Sequence, residues 1–408
     1  MTTVRVNRKA ADRVASGHPW IFSSDVTDRG GAQPGEAVRV VVDKAVEKRG
    51  HGEGQSLGTA HYSSTSQITL RMLANRPVPI DRAFFLDRLK RAIAHREQVV
   101  ENSTACRLVF SEADLLPGLI VDRYGSYLVL QTLTQGMDRA KDVVADCLTE
   151  LTAPMGILAR NDAAVRKLED LPREVATISG EIPGRVPIEM NGLKFQADLL
   201  HGQKTGIYLD QRENYVAVAR WAERCGKMTS GAGRILDCFS STGGFALHAA
   251  RYAQTVEAVD SSEHAIATAQ ANAEANGIAN IQFRQADVFE FLAGASPIAN
   301  RGSPRYSMVI LDPPAFAKTR RAVEDAARGY KEINLRALRL LDPGGVLVTC
   351  SCSHHMSEAD LFGSVAQAAL DAGRTLRVLD RRTQAGDHPI LLTVPETHYL
   401  KCLVLQAL

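Results

Sequence analysis

Two short apolar runs in this chain end on residues that a buried strand has no use for. Ser307–Leu311 gives way to Asp312-Pro313-Pro314-Ala315-Phe316, and Gly345–Val348 gives way to Thr349-Cys350-Ser351-Cys352-Ser353. A continuous apolar run bounded by turn residues marks a strand covered on both faces, as in parallel sheets flanked by helices. Ligands in such sheets lie outside the carboxyl ends of the strands. An acid and a cysteine are therefore expected to face one crevice. From about residue 192 the pattern alternates throughout. Ile235–Cys238, Thr255–Val259, Ile281–Ala286, Met308–Leu311, Val346–Cys350 and Thr375–Leu379 read as strands, with helices near 243–253, 262–276, 321–342 and 357–372. Such alternation with right-handed crossovers predicts an α/β fold with a doubly wound, mostly parallel sheet.

The 408 residues exceed one comfortable domain, and the upstream half has a different texture. Residues 1–74 carry β-like runs at Ala37–Asp43, Leu57–Tyr62 and Gln67–Leu73, with Gly50–Gly58 as an exposed hairpin loop, which fits a small β-barrel. Asp81–Asn102 has helical periodicity through Phe85, Leu86, Leu89, Ile93 and Val99. A compact α+β segment follows, with strands at Arg107–Phe110, Leu119–Val121, Tyr127–Thr132, Gly156–Arg160 and Arg185–Met190 and a helix near Asp138–Leu151. Asp122-Arg123-Tyr124-Gly125 is read as the turn between two of those strands. Loops at 226–234 and 294–306 read as surface connections.

Net charge is only +2, so nucleic-acid binding would need a local basic face. Residues 1–74 hold ten Lys/Arg and seven Asp/Glu, a mild excess. Seven cysteines without a CxxC pair argue against a disulfide framework and for a reducing, cytoplasmic setting. There is no 18-residue apolar run, and Met1–Ala10 has no apolar core of a signal peptide, so no membrane association is expected.

Asp237-Cys238-Phe239-Ser240-Ser241-Thr242-Gly243-Gly244 joins the first strand of the alternating region to a helix. Small residues admit a ligand close to the backbone, and the helix start offers free N–H groups. The full GxGxxG of dinucleotide binders is missing, which disfavours NAD. Asp260 ends the second strand, where a carboxylate can accept from ribose hydroxyls. Asp287, followed by Val288, ends the third and can accept from an adenine amino group. Either acid could instead be a helix N-cap. Together behind the glycine loop they favour S-adenosylmethionine, and the order of loop, acid, acid and Asp312-Pro313-Pro314 resembles a class I methyltransferase.

Cytosine C5 is a poor nucleophile. A thiolate added to C6 makes C5 enamine-like and able to attack a methyl group. Asp312 is placed to stabilise charge at the N3/N4 edge. Cys352, just past the strand end, is the expected nucleophile, and Cys350 is expected in the strand, buried as thiols often are. Cys350, Cys352, His354 and His355 are too crowded for the spaced ligand pairs of a zinc site, so no metal is expected. Asp-Pro-Pro alone also serves nitrogen methylation; Ser351-Cys352-Ser353 favours carbon.

Three further stretches sharpen the likeness. Gly17-His18-Pro19-Trp20-Ile21-Phe22-Ser23, Glu112–Tyr124 and His201-Gly202-Gln203-Lys204-Thr205-Gly206-Ile207-Tyr208-Leu209-Asp210-Gln211-Arg212 resemble a family of bacterial 23S rRNA (cytosine-C5)-methyltransferases with an N-terminal PUA domain. The resemblance covers essentially the whole chain. It implies a PUA RNA-binding domain at 1–74, a central α+β domain at 75–190 and a Rossmann-like methyltransferase domain at 191–408, forming 5-methylcytosine in large-subunit rRNA. On its pattern Cys352 and Asp312 are catalytic. Asp237, Phe239, Ser240, Thr242, Gly243, Gly244, Asp260, Asp287, Val288, Asp312 and Pro313 bind the cofactor, and Pro314, Phe316, Lys204, Tyr208 and Arg212 meet substrate. Leu115 stands where the family usually has glycine, which alters a turn. Arg5, Arg8, Lys9 and Arg13 are candidate phosphate contacts, while Trp20 and Phe22 are expected in the barrel core. Implied partners are naked 23S rRNA or an assembly intermediate, with a homodimer open. The alternatives are 5-methyluridine or guanine-nitrogen chemistry, and a non-catalytic RNA-binding assembly factor.

Overall fold

The computed structural model describes residues 1–43, 54–202, 204–228, 233–295, 305–316, 323–353 and 355–408. Expectations placed on Gln203, His354 and parts of the 50–58, 226–234 and 294–306 loops fall outside the described residues. The chain forms two compact units. One comprises Met1–Ile188, Ala197–Ile207 and Gly386–Thr397; the other comprises Glu189–Gln196, Tyr208–Ala385 and His398–Leu408. Among the described residues no helix is long and apolar enough to cross a membrane.

The first unit carries two sheets. Strands β1 (Thr3–Val6), β2 (Trp20–Phe22), β3 (Val26–Asp28), β4 (Ala37–Val42), β5 (Ser56–Tyr62) and β6 (Ile68–Ala74) pair in the order β2-β6-β5-β4-β1-β3. Helix α1 (Arg8–Ala15), absent from the sequence reading, is capped by Asn7, whose side chain accepts from the Ala10 N–H. Strand alternation sends Ile21 into the core and its neighbours outward, which corrects the expected burial of Trp20 and Phe22. The Trp20 indole donates to Glu112 Oε1 at 2.8 Å, and Phe22 lies 4.9 Å beneath the Arg13 guanidinium. Arg13 is committed to the buried Asp25 at 2.7 Å, and Arg8 pairs with Asp12 at 3.5 Å. Neither cation is unpaired, so the phosphate contacts expected of them compete with ion pairs inside the unit.

Helix α2 (Arg82–Val99), capped by Asp81, leads to the second sheet, β7 (Ala105–Phe110), β8 (Leu119–Tyr124), β9 (Tyr127–Thr132), β10 (Gly156–Asn161) and β11 (Glu174–Gly180), in the order β11-β10-β9-β8-β7. Helices α3 (Gln135–Arg139) and α4 (Lys141–Thr152) connect β9 to β10. Leu89, Leu108, Val121 and Leu148 share its core. Asp122 is part of strand β8, and the turn falls after Tyr124. Arg107 donates to both Asp122 oxygens at 2.8 and 2.9 Å, leaving a buried carboxylate fully engaged. Leu115 adopts the left-handed conformation at φ +58°, the region glycine occupies without strain. Its side chain stands exposed, and the turn keeps its shape at a cost of about 1 kcal/mol.

Asn191 and Gly192, at φ +54° and +79°, turn the chain between β12 (Arg185–Met190) and β13 (Leu193–Asp198). The second unit then follows helix α5 (Arg212–Met228) with β14 (Arg234–Cys238), α6 (Gly244–Ala250), β15 (Thr255–Asp260), α7 (Glu263–Ala275), β16 (Ile281–Gln285), α8 (Val288–Gly294), β17 (Tyr306–Leu311), α9 (Val323–Leu340), β18 (Leu341–Ser351), α10 (Glu358–Asp371), β19 (Leu376–Arg382) and β20 (Lys401–Ala407). The sheet order is β16-β15-β14-β17-β18-β20-β19. The first five strands are parallel, while β20 runs antiparallel to both of its neighbours. Strand β20 was not anticipated, although Cys402-Leu403-Val404-Leu405 is a continuous apolar run. The order reverses between β14 and β17, and a crevice is expected at such a switch point.

Candidate active site

The loop after β14 is strained. Phe239, Ser241 and Gly243 take φ values of +62°, +47° and +87°. Hydrogen bonds hold it: Ser240 N–H donates to Val259 O at 3.1 Å, and Gly243 N–H donates to Ser240 O at 2.8 Å. Ser241 N–H donates to Asp260 Oδ2 at 2.9 Å, and Asn272 Nδ2 donates to Thr242 O at 3.0 Å. Asp260 takes Ser262 N–H on its other oxygen at 2.9 Å, so one carboxylate ties the loop to the end of β15. The glycines have a packing duty beyond ligand access. A Cβ on Gly243 would stand 2.3 Å from Leu247, and one on Gly244 would stand 2.3 Å from the Tyr215 ring.

Asp237 is fully buried and accepts the Ala246 N–H at 2.9 Å, anchoring the start of α6. Burial raises its carboxyl well above the ordinary range, with Asp312 and Asp260 adding to the effect. Asp287 is exposed and caps α8 through the Glu290 N–H at 3.0 Å, with Val288 buried behind it.

One strand further along the chain, Asp312 follows β17. Gln211 Nε2 donates to its Oδ1 at 3.0 Å. Gln211 is itself fixed by Asn214 Nδ2 at 2.6 Å, and Asn214 accepts from Arg382 Nε at 2.9 Å. This relay from β19 through α5 to Asp312 was missed in the sequence, where Gln211 is one polar residue among several. Pro313 is buried, Pro314 is exposed, and Phe316 packs 4.8 Å from the Tyr330 ring. Tyr208 is half-buried, and burial pushes its phenol up; the facing charges of Asp312, Asp210, Cys352 and Asp260 push the same way. One phenol therefore lies among acids from both halves of the crevice and the cysteine. Arg212 is buried at the start of α5. Lys204 is exposed at φ +53° and belongs to the other unit, so the described geometry does not join it to these residues.

Cys350 lies inside β18 opposite Cys402, fully buried, and its thiol is pushed well up by the Cys402 hydrogen bond and by burial. Cys352 lies one residue past the strand and is partly exposed. The serines flanking it are clamped from α9. The Tyr330 hydroxyl donates to Ser351 Oγ at 2.8 Å and lies 3.3 Å from Ser353 Oγ, with burial pushing the phenol up to about 12. Beneath the turn, Lys401 Nζ donates to Ser353 O at 2.9 Å. Among the described residues no cluster of His, Cys, Asp and Glu could hold a metal ion.

A family model described as S-adenosylmethionine-dependent methyltransferase matches residues 148–391, and one described as PUA-like domain matches residues 4–75. The chain belongs to the S-adenosylmethionine-dependent methyltransferase family. Its similarity to curated members extends over full length. "Ribosomal RNA large subunit methyltransferase I" of Tolumonas auensis is 39% identical, covering 100% of each chain. The protein of the same name from Aeromonas salmonicida is 39% identical over 96% of this chain and 95% of its own. Among solved structures, a Streptococcus mutans methyltransferase superposes with a TM-score of 0.79 at 21% identity over 100% of both chains, which shows the shared fold.

The family's cofactor is S-adenosylmethionine, and the site suits it. Asp237 Oδ1 and Ser240 Oγ are buried without a hydrogen-bond partner, as in a loop that completes its hydrogen bonding on a ligand. The neighbouring carboxylates of Asp260 and Asp287 supply acceptors at successive strand ends.

Proposed function

We propose that this methyltransferase forms 5-methylcytosine in large-subunit (23S) rRNA through a covalent bond between Cys352 and C6 of the base. The observation that carries the reading is the placement of one partly exposed thiol, on a turn clamped by Tyr330, beside the strand end that holds Asp312. Full-length similarity to proteins named for large-subunit ribosomal RNA supports the substrate class, as does the PUA-like match. The proposed organisation is a PUA domain at 1–74, a central domain at 75–190 and a catalytic domain at 191–408, in the cytoplasm. Naked rRNA or an assembly intermediate is the partner, and a homodimer is a further expectation.

Asp260 would hold the cofactor's ribose and Asp287 its adenine, beside Val288. Asp237, Phe239, Ser240, Thr242, Gly243, Gly244 and Pro313 would line the rest. Bound there, S-adenosylmethionine would supply an electrophilic methyl group, the methyl–sulfur bond being the one broken and S-adenosylhomocysteine the leaving group. The Cys352 thiolate adds to C6, and the C5–C6 π electrons move toward C5, which forms the new bond to the methyl carbon. Asp312 stabilises charge at the N3/N4 edge, with Tyr208, Pro314 and Phe316 around the base. Loss of the C5 proton to a base then re-forms the double bond and expels the thiolate. Arg212 and Lys204 would act from the substrate segment, Arg212 from its buried position.

The test is methyl transfer from labelled S-adenosylmethionine into 23S rRNA with nucleoside analysis. Label is expected in 5-methylcytosine, lost by about 10³-fold or more in Cys352→Ala and retained in Cys350→Ala. Label in 5-methyluridine or a guanine derivative would change the target atom. RNA binding without any transfer would favour the assembly factor.

A further inference from the structure

We propose that Lys401 is a positioning residue for Cys352, its buried ammonium holding the cysteine turn by the backbone and favouring the thiolate over the thiol. The inference rests on Cys352 being the nucleophile. Lys401 opens β20 directly opposite Ser351, the residue before Cys352. It is only 5% exposed, an unusual setting for a cation, and burial of an ammonium needs compensation. Its Nζ donates to Ser353 O at 2.9 Å and to Tyr399 O at 3.0 Å. Both acceptors are neutral carbonyls, so the positive charge stays at the turn.

The other charges facing this ammonium are already engaged. Glu358 and Asp360 lie in the first turn of α10. The Arg381 guanidinium pairs with both Glu358 oxygens, and Asp360 closes the capping box with Ser357. Tyr330 is occupied by the two serines. Burial lowers the proton affinity of Lys401 on balance, with Cys352, Glu358 and Asp360 acting against it. A cation near a thiol lowers the thiol pKa and increases the reactive fraction at neutral pH, here against Asp312, Asp210 and Asp260, which face the Tyr208 phenol together with Cys352. A lysine serving only to fasten β20 to the turn would leave that titration unchanged.

The six other cysteines are buried, so alkylation reports mainly on Cys352, with Cys352→Ala as the control. Iodoacetamide reactivity of the full-length protein would be followed from about pH 5 to about pH 10 by peptide mass spectrometry. The wild-type midpoint should fall below the ordinary thiol value of about 8.5. Lys401→Gln should raise that midpoint by about one unit and slow alkylation at neutral pH about tenfold, and Lys401→Arg should restore it. An unchanged profile in folded Lys401→Gln overturns the proposal. If that variant does not fold, the wild type decides alone: a midpoint at or above about 8.5 overturns the proposal. Methyl transfer separates the two ideas, since activity surviving in Cys352→Ala would refute the nucleophile and leave the alkylation result standing.

Discussion

The two halves of the crevice are built differently. Where β14, β15 and β16 end, the acids are held by nearby backbone. Asp260 takes an N–H two residues away and another nineteen away, and Asp287 takes one three residues away. Where β17 and β18 end, the groups are held by distant side chains. Gln211 reaches Asp312 across 101 positions, Tyr330 reaches Ser351 across 21, and Lys401 reaches Ser353 across 48. Caps set by local backbone tolerate change at their edges. A side chain fixed by a relay loses its orientation when any member is removed. The proposed cofactor side is therefore expected to answer substitutions with changes in stability and binding, and the reacting side with changes in rate.

The strongest test of that contrast is Asp312→Asn, expected to lower kcat by about 10²–10⁴-fold in single-turnover assays. Gln211→Leu comes next. It touches no substrate in the proposed mechanism, yet loss of the hydrogen bond that orients Asp312 should lower kcat by about 10–10²-fold with the far-UV spectrum unchanged. Full activity in this variant would mean that Asp312 is positioned by something else. On the cofactor side, Gly243→Ala should cost about 1–3 kcal/mol by calorimetry, because φ is +87° and the new methyl would meet Leu247. Asp287→Ala should be mildest, losing about 1 kcal/mol of capping and weakening cofactor binding by titration calorimetry, with kcat retained. A large kcat loss there would break the comparison.

The same division explains what was legible from sequence. Strand ends, the glycine loop and the helix starts after Asp260 and Asp287 are local patterns, and the alternating region shows them one after another. Helix α1 and strand β20 escaped because each looks ambiguous alone. Arg8–Ala15 resembles a basic surface tail, and the apolar run at 402–405 follows a segment without regular alternation. Trp20 and Phe22 misled through size: aromatic bulk suggested core, whereas the strand's two-residue period had already given that place to Ile21. Gln211 sat inside a stretch that resembles the family but was not singled out there, and Asn214, Tyr330 and Lys401 carried no signal at all. Their significance comes from who stands next to them, and only the folded chain determines that.

The position of β20 also bears on how the protein is made. This strand is synthesised after β19 yet lies inside the sheet between β18 and β19. A growing chain can assemble the five parallel strands early, but the edge strand has nothing to pair with until residues 401–407 emerge. The Cys352 turn likewise lacks its Lys401 support until then. A nascent chain stalled before this point would lack the last two strands of its seven-stranded sheet and carry an unsupported thiol.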